Sequence, residues 1–374
     1  MIPTDILVIG GGIVGQVTAI ELAQAGARIT VVDAGINAGS TANAGSLHVQ
    51  MQSRFMRLYP DQVPNIEASL PLYCEAAEEW VRLDAAYGSF ELVRKGGLML
   101  AEDDTQLAFL EKKATLEAKK GVSAEMLDRS ALGRIAPWLG PQIIGAELCR
   151  NEGKVNPLTA NLRLRAVADA LGVRFEQDHI RSLSVGHRVE AVGQRDTYQA
   201  DRVVVAAAWG AGALVQGLGV MIPSVAEPLH MNITEACSAR IEQLVQHAER
   251  SITLKQFNSG QIVIGGGWSA RDRGAHFVPA VEPLSLLGNV SLAARLVPTL
   301  GHVRIIRTWA GMNTTMDGAS VIGSLPACDR VVMAVPGDAG YTLGPLVAKL
   351  AASCILGQPD HSMIDRYSPA RFSA

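Results

Sequence analysis

The chain has 374 residues, of which 48% are hydrophobic and 18% charged, and its formal net charge is −3. That is enough apolar material for a large buried core and too much chain for one small domain, and the interspersed charges exclude the basic footprint of a nucleic-acid binder. The five cysteines (Cys74, Cys149, Cys237, Cys328, Cys354) lie far apart without metal-ligand spacing, so no metal site is expected and the thiols read as reduced, in a cytoplasmic protein.

Residues 6–9 read as a short buried strand, apolar throughout and mostly β-branched. Asp5 at its edge and the lack of a basic leader argue against a secretory signal. Gly10, Gly12 and Gly15 follow in G-x-G-x-x-G spacing, then a helix carrying Val17, Ile20, Leu22 and Ala23 that stops at Gly26. A second strand at 28–32 ends at Asp33. In such a unit the first glycine permits a tight turn, the second lets backbone approach a pyrophosphate, and the third lets helix pack on strand. The helix end offers N–H groups to phosphates, and Asp33 suits the ribose hydroxyls. An acid there argues against a 2′-phosphate, hence against NADP, but does not separate FAD from NAD.

After Asp33 the chain does not continue with the βαβ units that would complete the sheet of an NAD enzyme. It enters a small, polar run from Gly39 to His48, a poor strand and a good ligand-hugging loop. Helices are expected at 65–87 and 103–120, with alternating charge on an exposed face. Strands fall near 173–175, 181–185 and 203–206, the last opening on Ala206-Ala207-Ala208-Trp209-Gly210. Residues 251–256 and 261–265 read as a hairpin turning at Asn258-Ser259-Gly260, with a helix near 283–297. Near the end come a strand at 331–334, the segment from Pro336 to Pro345, and an apolar helix at 346–356 stopped by Gly357. Pro345 suits the first turn of that helix. Its positive end would stabilise the negative charge of a reduced flavin beside 340–342. No run approaches the roughly 20 apolar residues of a membrane span.

The N-terminal fingerprint, the loop from Thr41 to His48, the 203–210 segment, Trp309-Ala310-Gly311 and Gly340-Tyr341-Thr342-x-Gly344-Pro345 resemble the D-amino-acid oxidase-like (DAO) superfamily over the whole chain. Residues 42–50, Leu254-Lys255-Gln256 and Ile264-Gly265-Gly266-Gly267-Trp268 look closest to the flavin-bearing beta subunits of heteromeric dehydrogenases for opines, D-hydroxyproline and proline, and of hydrogen cyanide synthase. The resemblance implies an α/β plus α+β chain of the glutathione-reductase-like FAD type. In it a Rossmann-like FAD-binding domain (1–47, 145–215, 315–374) is interleaved with an antiparallel-sheet substrate domain (48–144, 216–314). The implied cofactor contacts are Gly10, Gly12, Ile13, Val14, Gly15, Asp33, Ala34, Ser40, Thr41, Asn43, Ala44, Gly45, Ser46, Leu47, Ile180, Ala206, Ala207, Trp209, Gly311, Gly337, Gly340, Tyr341 and Thr342. Ala207 stands where the family usually has glycine.

The implied reaction passes hydride from a carbon bearing a neutral amine to flavin N5 and leaves an imine, so binding and orienting groups matter more than a triad. Glycine and D-amino-acid oxidases hold the substrate carboxylate with an arginine just after the Trp-Ala-Gly motif, and this chain has Asn313 there. Candidate site residues are His48, His230, Arg307 and Tyr341, with Arg54 and Lys255 as further cations. Arg307 would face the same way as Trp309 on a strand. The lysine that sarcosine oxidases carry over the flavin has no counterpart matched here. Electrons would then pass to a partner, an alpha subunit and a small iron–sulfur subunit, in the cytoplasm or docked on the inner face of the cytoplasmic membrane. A self-sufficient oxidase yielding peroxide and a non-catalytic FAD subunit are the alternatives.

Overall fold

The computed structural model describes residues 2–36, 39–274 and 277–373. The apolar run ahead of Gly10 becomes the strand Ile2–Ile9, inside an eight-stranded sheet. It pairs in parallel with Ile29–Asp33 on one side and Thr197–Val205 on the other, so that Ile9 lies between Val32 and Val205. Arg174–Gln177 and Cys328–Val335 extend the parallel part outward, and Val321–Leu325 closes one edge antiparallel. Strands covered on both faces need apolar side chains in both directions. Val8, Val31 and Val204 accordingly pack under helices on one face, while Leu7, Val203 and Val205 pack on the other, beneath an antiparallel flap of Ser182–Val185 and Val189–Val192.

The helices on the first face are Ile13–Gln24 and the C-terminal Gly340–Ile355, which share a core through Val17, Ile20, Val347 and Ala351. The C-terminal helix starts at Gly340 rather than at 346, so Pro345 lies inside it and not in its first turn. A proline there removes the N–H that would reach the Tyr341 carbonyl. The Trp80 indole N–H supplies the donor instead, 3.0 Å from the Tyr341 oxygen and 3.2 Å from that of Thr342. Trp80 lies on the helix Val63–Tyr87, and the other expected helices are found at Asp104–Ala118 and Pro283–Leu296.

A second eight-stranded sheet runs in the order Ile305–Thr315, Val225–Thr234, Ile262–Gly265, Thr253–Gln256, Leu244–His247, Gly97–Ala101, Gly145–Cys149, Ala124–Asp128. It is antiparallel except where Leu244–His247 meets Gly97–Ala101. The strands of the first sheet thus come from three separate stretches of chain and those of the second from the stretches between. One boundary differs from expectation: Gly145–Cys149, placed at the start of a nucleotide-binding piece, is hydrogen-bonded within the second sheet. Among the described residues no helix is long and apolar enough to cross a membrane.

Candidate functional site

The carboxyl ends of the parallel strands open into a cavity of about 590 Å³, the crevice where open α/β sheets place their ligands. Gly10, Gly12, Ile13, Val14, Asp33, Ala34, Ser40, Asn43, Ile180, Ala206, Ala207 and Trp209 line one part. Gly311, Gly337, Gly340 and Tyr341 line another, with Leu229, Met231 and Asn313 from the second sheet. The first helix has Gly12 at its cap and no side-chain cap. Ser40 Oγ accepts the Ile13 N–H at 2.8 Å, while the Asp33 carboxylate accepts from Gly11 at 2.5 Å and Gly35 at 2.6 Å. A Cβ on Gly15 would stand 1.8 Å from the Gly10 carbonyl oxygen, so helix and loop can approach only without a side chain there. A helix end capped only by Ser40, a glycine cradle and a terminal acid fit the pyrophosphate and ribose of an adenine dinucleotide.

Other expected cofactor residues stand behind this wall. Leu47 is fully buried, Ser46 nearly so, and a Cβ on Gly45 would meet the Val155 oxygen at 2.0 Å. Thr41 is exposed and Ala44 half-buried. Thr342 Oγ1 accepts the His48 N–H at 2.9 Å and donates to the Ser46 carbonyl at 3.4 Å, which clamps the small-residue loop to the C-terminal helix. Ala207, at the family's glycine position, has an ordinary φ of −85°. The left-handed conformation falls on its neighbour Ala208 (φ 51°), which also lines the cavity.

The candidate catalytic residues separate by strand alternation. Val225–Thr234 lies antiparallel to Ile305–Thr315 with Glu227 opposite Asn313, Leu229 opposite Gly311 and Met231 opposite Trp309. These side chains share the cavity face, so the residue between them points the other way. His230 is therefore no pocket residue. It is fully buried behind the sheet, its Nε2 is 2.8 Å from Asn232 Oδ1, and burial lowers its pKa. Arg307 shares a face with Trp309 as expected, 5.8 Å over its ring, but stands exposed beyond the cavity lining. Tyr341 is in the wall, held rigidly: its ring stacks on Trp80 at 5.1 Å and its hydroxyl is bonded to Asn161 Oδ1 at 3.1 Å. His48 is half-buried outside the lining, its Nδ1 3.8 Å from Glu152 and without a hydrogen-bond partner.

A cluster that sequence reasoning had not assembled closes the second-sheet end. Arg54 pairs with Glu227, and Asn313 Nδ2 donates to Glu227 at 3.1 Å and to Asp338 at 2.6 Å. Burial raises the pKa of Asp338, against the pull of Asn313 and Arg54. Arg54 reaches this position across Gly267 (φ +86°), where a Cβ would come 2.0 Å from Arg54 Cδ. The Gly-Gly-Gly-Trp motif is thus partly a passage for a guanidinium. Arg54 and Glu227 also border an open groove of about 800 Å³ that shares Leu229 with the cavity.

Lys255, a carboxylate candidate by sequence, is fully buried with Nζ 2.5 Å from Ser46 Oγ. Burial, helped by the neighbouring charge of Lys154, lowers its pKa from 10.5 to about 7. An amine that gives up its proton far more readily than an exposed lysine thus bears on the small-residue loop. Nothing in Leu254-Lys255-Gln256 distinguishes it from an exposed hairpin lysine.

Comparison with known proteins agrees with this architecture. The family described as FAD dependent oxidoreductase, DAO, matches residues 5–354. Glycine oxidase of Bacillus licheniformis is 25% identical over 371 residues, 95% of this chain and 94% of that protein. One of the chains of opine oxidase from Agrobacterium tumefaciens (strain Ach5) is 23% identical over 384 residues, 100% of this chain and 99% of its own length. Among solved structures, L-proline dehydrogenase from P. horikoshii shares the fold, with a TM-score of 0.82 at 23% identity over 99% of this chain and 98% of that one. The glycine cradle and the end-to-end match lead to one assignment: the chain is an FAD enzyme and belongs to the DAO family of FAD-dependent oxidoreductases.

Proposed function

We propose that this enzyme dehydrogenates the C–N bond of an amino-acid-like secondary amine, such as D-hydroxyproline or an opine, as the flavin-bearing subunit of a heteromeric dehydrogenase. The observation that carries the reading is the end of the cavity beyond the nucleotide cradle, where apolar Leu229 and Met231 meet the amide of Asn313, which joins the cavity to the Arg54–Glu227 pair on the adjoining groove. That suits a small molecule with an apolar body and one charged end. Position 313 lacks the arginine of simple amino-acid oxidases, which favours a different substrate. The match to the opine oxidase chain along its whole length supports the branch and the partner.

FAD, when bound, supplies the hydride acceptor. Gly10, Gly12, Ser40 and Asp33 are the groups placed to hold its adenosine and phosphates, and the helix starting at Gly340 points its positive end into the cavity. Tyr341, fixed by Trp80 and Asn161, is a rigid wall against which a substrate is oriented and water excluded. Arg54 is our assignment for the substrate carboxylate, since it borders the open groove beside the cavity and pairs there with Glu227 alone among the described residues. The imine product hydrolyses in water, or persists if it is cyclic.

A second reading, a self-sufficient oxidase, is favoured by the full-length likeness to glycine oxidase and by the buried Lys255 amine on Ser46 of the small-residue loop. Anaerobic titration of the purified flavoprotein with D-hydroxyproline, D-proline, sarcosine, octopine and nopaline tests both. Loss of absorption near ~450 nm with one of them identifies the substrate class, and peroxide yield in air separates dehydrogenase from oxidase. A flavin band that none of them bleaches overturns the proposal.

A further inference from the structure

The orientation of Asn313 is fixed by what lies behind it. Its Nδ2 donates to two carboxylates, Asp338 at 2.6 Å and Glu227 at 3.1 Å. Only the NH2 side of an amide can meet acceptors, so Oδ1 must point away from them. No described residue donates to that oxygen, and it is not among the buried atoms left without a partner. It is therefore accessible, and the space that Asn313 lines is the cavity. The acids cannot easily turn to release the amide. Glu227 stands opposite Asn313 in the strand register and is also held by Arg54.

We infer that Asn313 presents its carbonyl oxygen to the substrate nitrogen, so that this site selects its substrate by an N–H donor where an arginine would select a carboxylate. This rests on the amine-oxidation reading above and specifies its recognition step. An acceptor engages the amine through N–H and leaves the nitrogen lone pair free for the C=N bond that forms as hydride departs. A neutral secondary amine has one N–H and one lone pair, so this contact orients both at once. A guanidinium at the same position offers only donors, and would engage the lone pair or repel the ammonium form. The acids behind Asn313 also favour a cationic or strongly donating partner over an anion.

The test uses the FAD-loaded protein and the perturbation of its visible spectrum by two probes. Pyrrolidine has the amine without a carboxylate, and cyclopentanecarboxylate the reverse. Asn313→Leu is expected to weaken pyrrolidine binding about tenfold, the loss of one well-placed hydrogen bond, and to leave cyclopentanecarboxylate within about twofold. The opposite pattern overturns the inference. If that variant does not fold, the wild-type protein decides. Pyrrolidine binding roughly tenfold tighter than N,N-dimethylpyrrolidinium, a cation of the same ring that has no N–H, supports the N–H contact, and equal binding overturns it. Pyrrolidine binding that depends on Asn313 in a protein whose flavin no amine reduces would sink the functional proposal and keep this contact. Reduction by an amine with unchanged KM in Asn313→Leu would do the reverse.

Discussion

The two ends of the cavity are built by opposite means. At the nucleotide end the shape comes from missing side chains: Gly10 and Gly15 let backbone touch backbone, Gly12 leaves room for the Ser40 side chain, and Asp33 is the acid at the strand end. At the second-sheet end it comes from charged and polar side chains, Arg54, Glu227, Asn313 and Asp338, held against one another out of water. A site made of backbone tolerates almost no added atom. A site made of paired charges tolerates changes of shape but not the loss of one partner.

The largest effect is expected at the first end. Gly15→Val would drive a side chain into the Gly10 carbonyl and cost about 3 kcal/mol or more, since no rotamer relieves a clash at Cβ. Thermal melting and flavin content should both collapse; a variant that melts like wild type and keeps its FAD would break the contrast. Arg54→Met comes next. It strips the part-buried Glu227 of its cation and is expected to cost about 2 kcal/mol, below the range of a fully buried pair. It should also raise KM for an amino-acid substrate more than tenfold with little change in kcat, which steady-state kinetics would resolve.

The third effect is a dependence on pH. Lys255 binds its proton less tightly in the folded chain than in the unfolded one, with a pKa of about 7 against 10.5. Between these values the unfolded state carries the extra proton, so stability rises with pH across that window. Denaturant titrations at pH 7 and pH 10 should show this contribution, and Lys255→Met should remove it. The smallest effects are expected where the strand face turns away from the cavity or runs past it. His230→Leu should lose about 1 kcal/mol through its bond to Asn232, and Arg307→Ala almost nothing. Both should keep kcat/KM within about twofold, the range of a residue that makes no transition-state contact. A tenfold fall in either would put that side chain back at the reaction.

This contrast also explains what could be read from the residues alone. Steric demands on backbone leave a spacing in the sequence, so the glycine cradle, Asp33, the flavin-type branching after it and the small-residue loop were all legible. Alternation correctly put Arg307 and Trp309 on one face, but it does not say which strand lies opposite or where the cavity stops. The meeting of Glu227 with Asn313 depends on a pairing across 86 residues. The burial of Lys255 depends on a loop more than 200 positions away. Pro345 misplaced the helix start for a similar reason: the donor that permits it comes from Trp80.

The middle of the first sheet has a consequence for how the protein comes into being. Ile2–Ile9 is made before the other strands of its sheet, yet its neighbour Thr197–Val205 follows only after Gly97–Ala101, Ala124–Asp128 and Gly145–Cys149 of the second sheet. Cys328–Val335 and the helix that completes the cavity wall come near the end. Parallel pairings over such separations form slowly, because the chain between must be ordered before they stabilise anything. On the ribosome, therefore, the far edge of this apolar strand, the one not paired with Ile29–Asp33, waits open to wrong partners. FAD cannot rescue that intermediate, since a ligand stabilises only the state that contains its site. The glycine cradle is the first part of the pocket to be synthesised and among the last to become one.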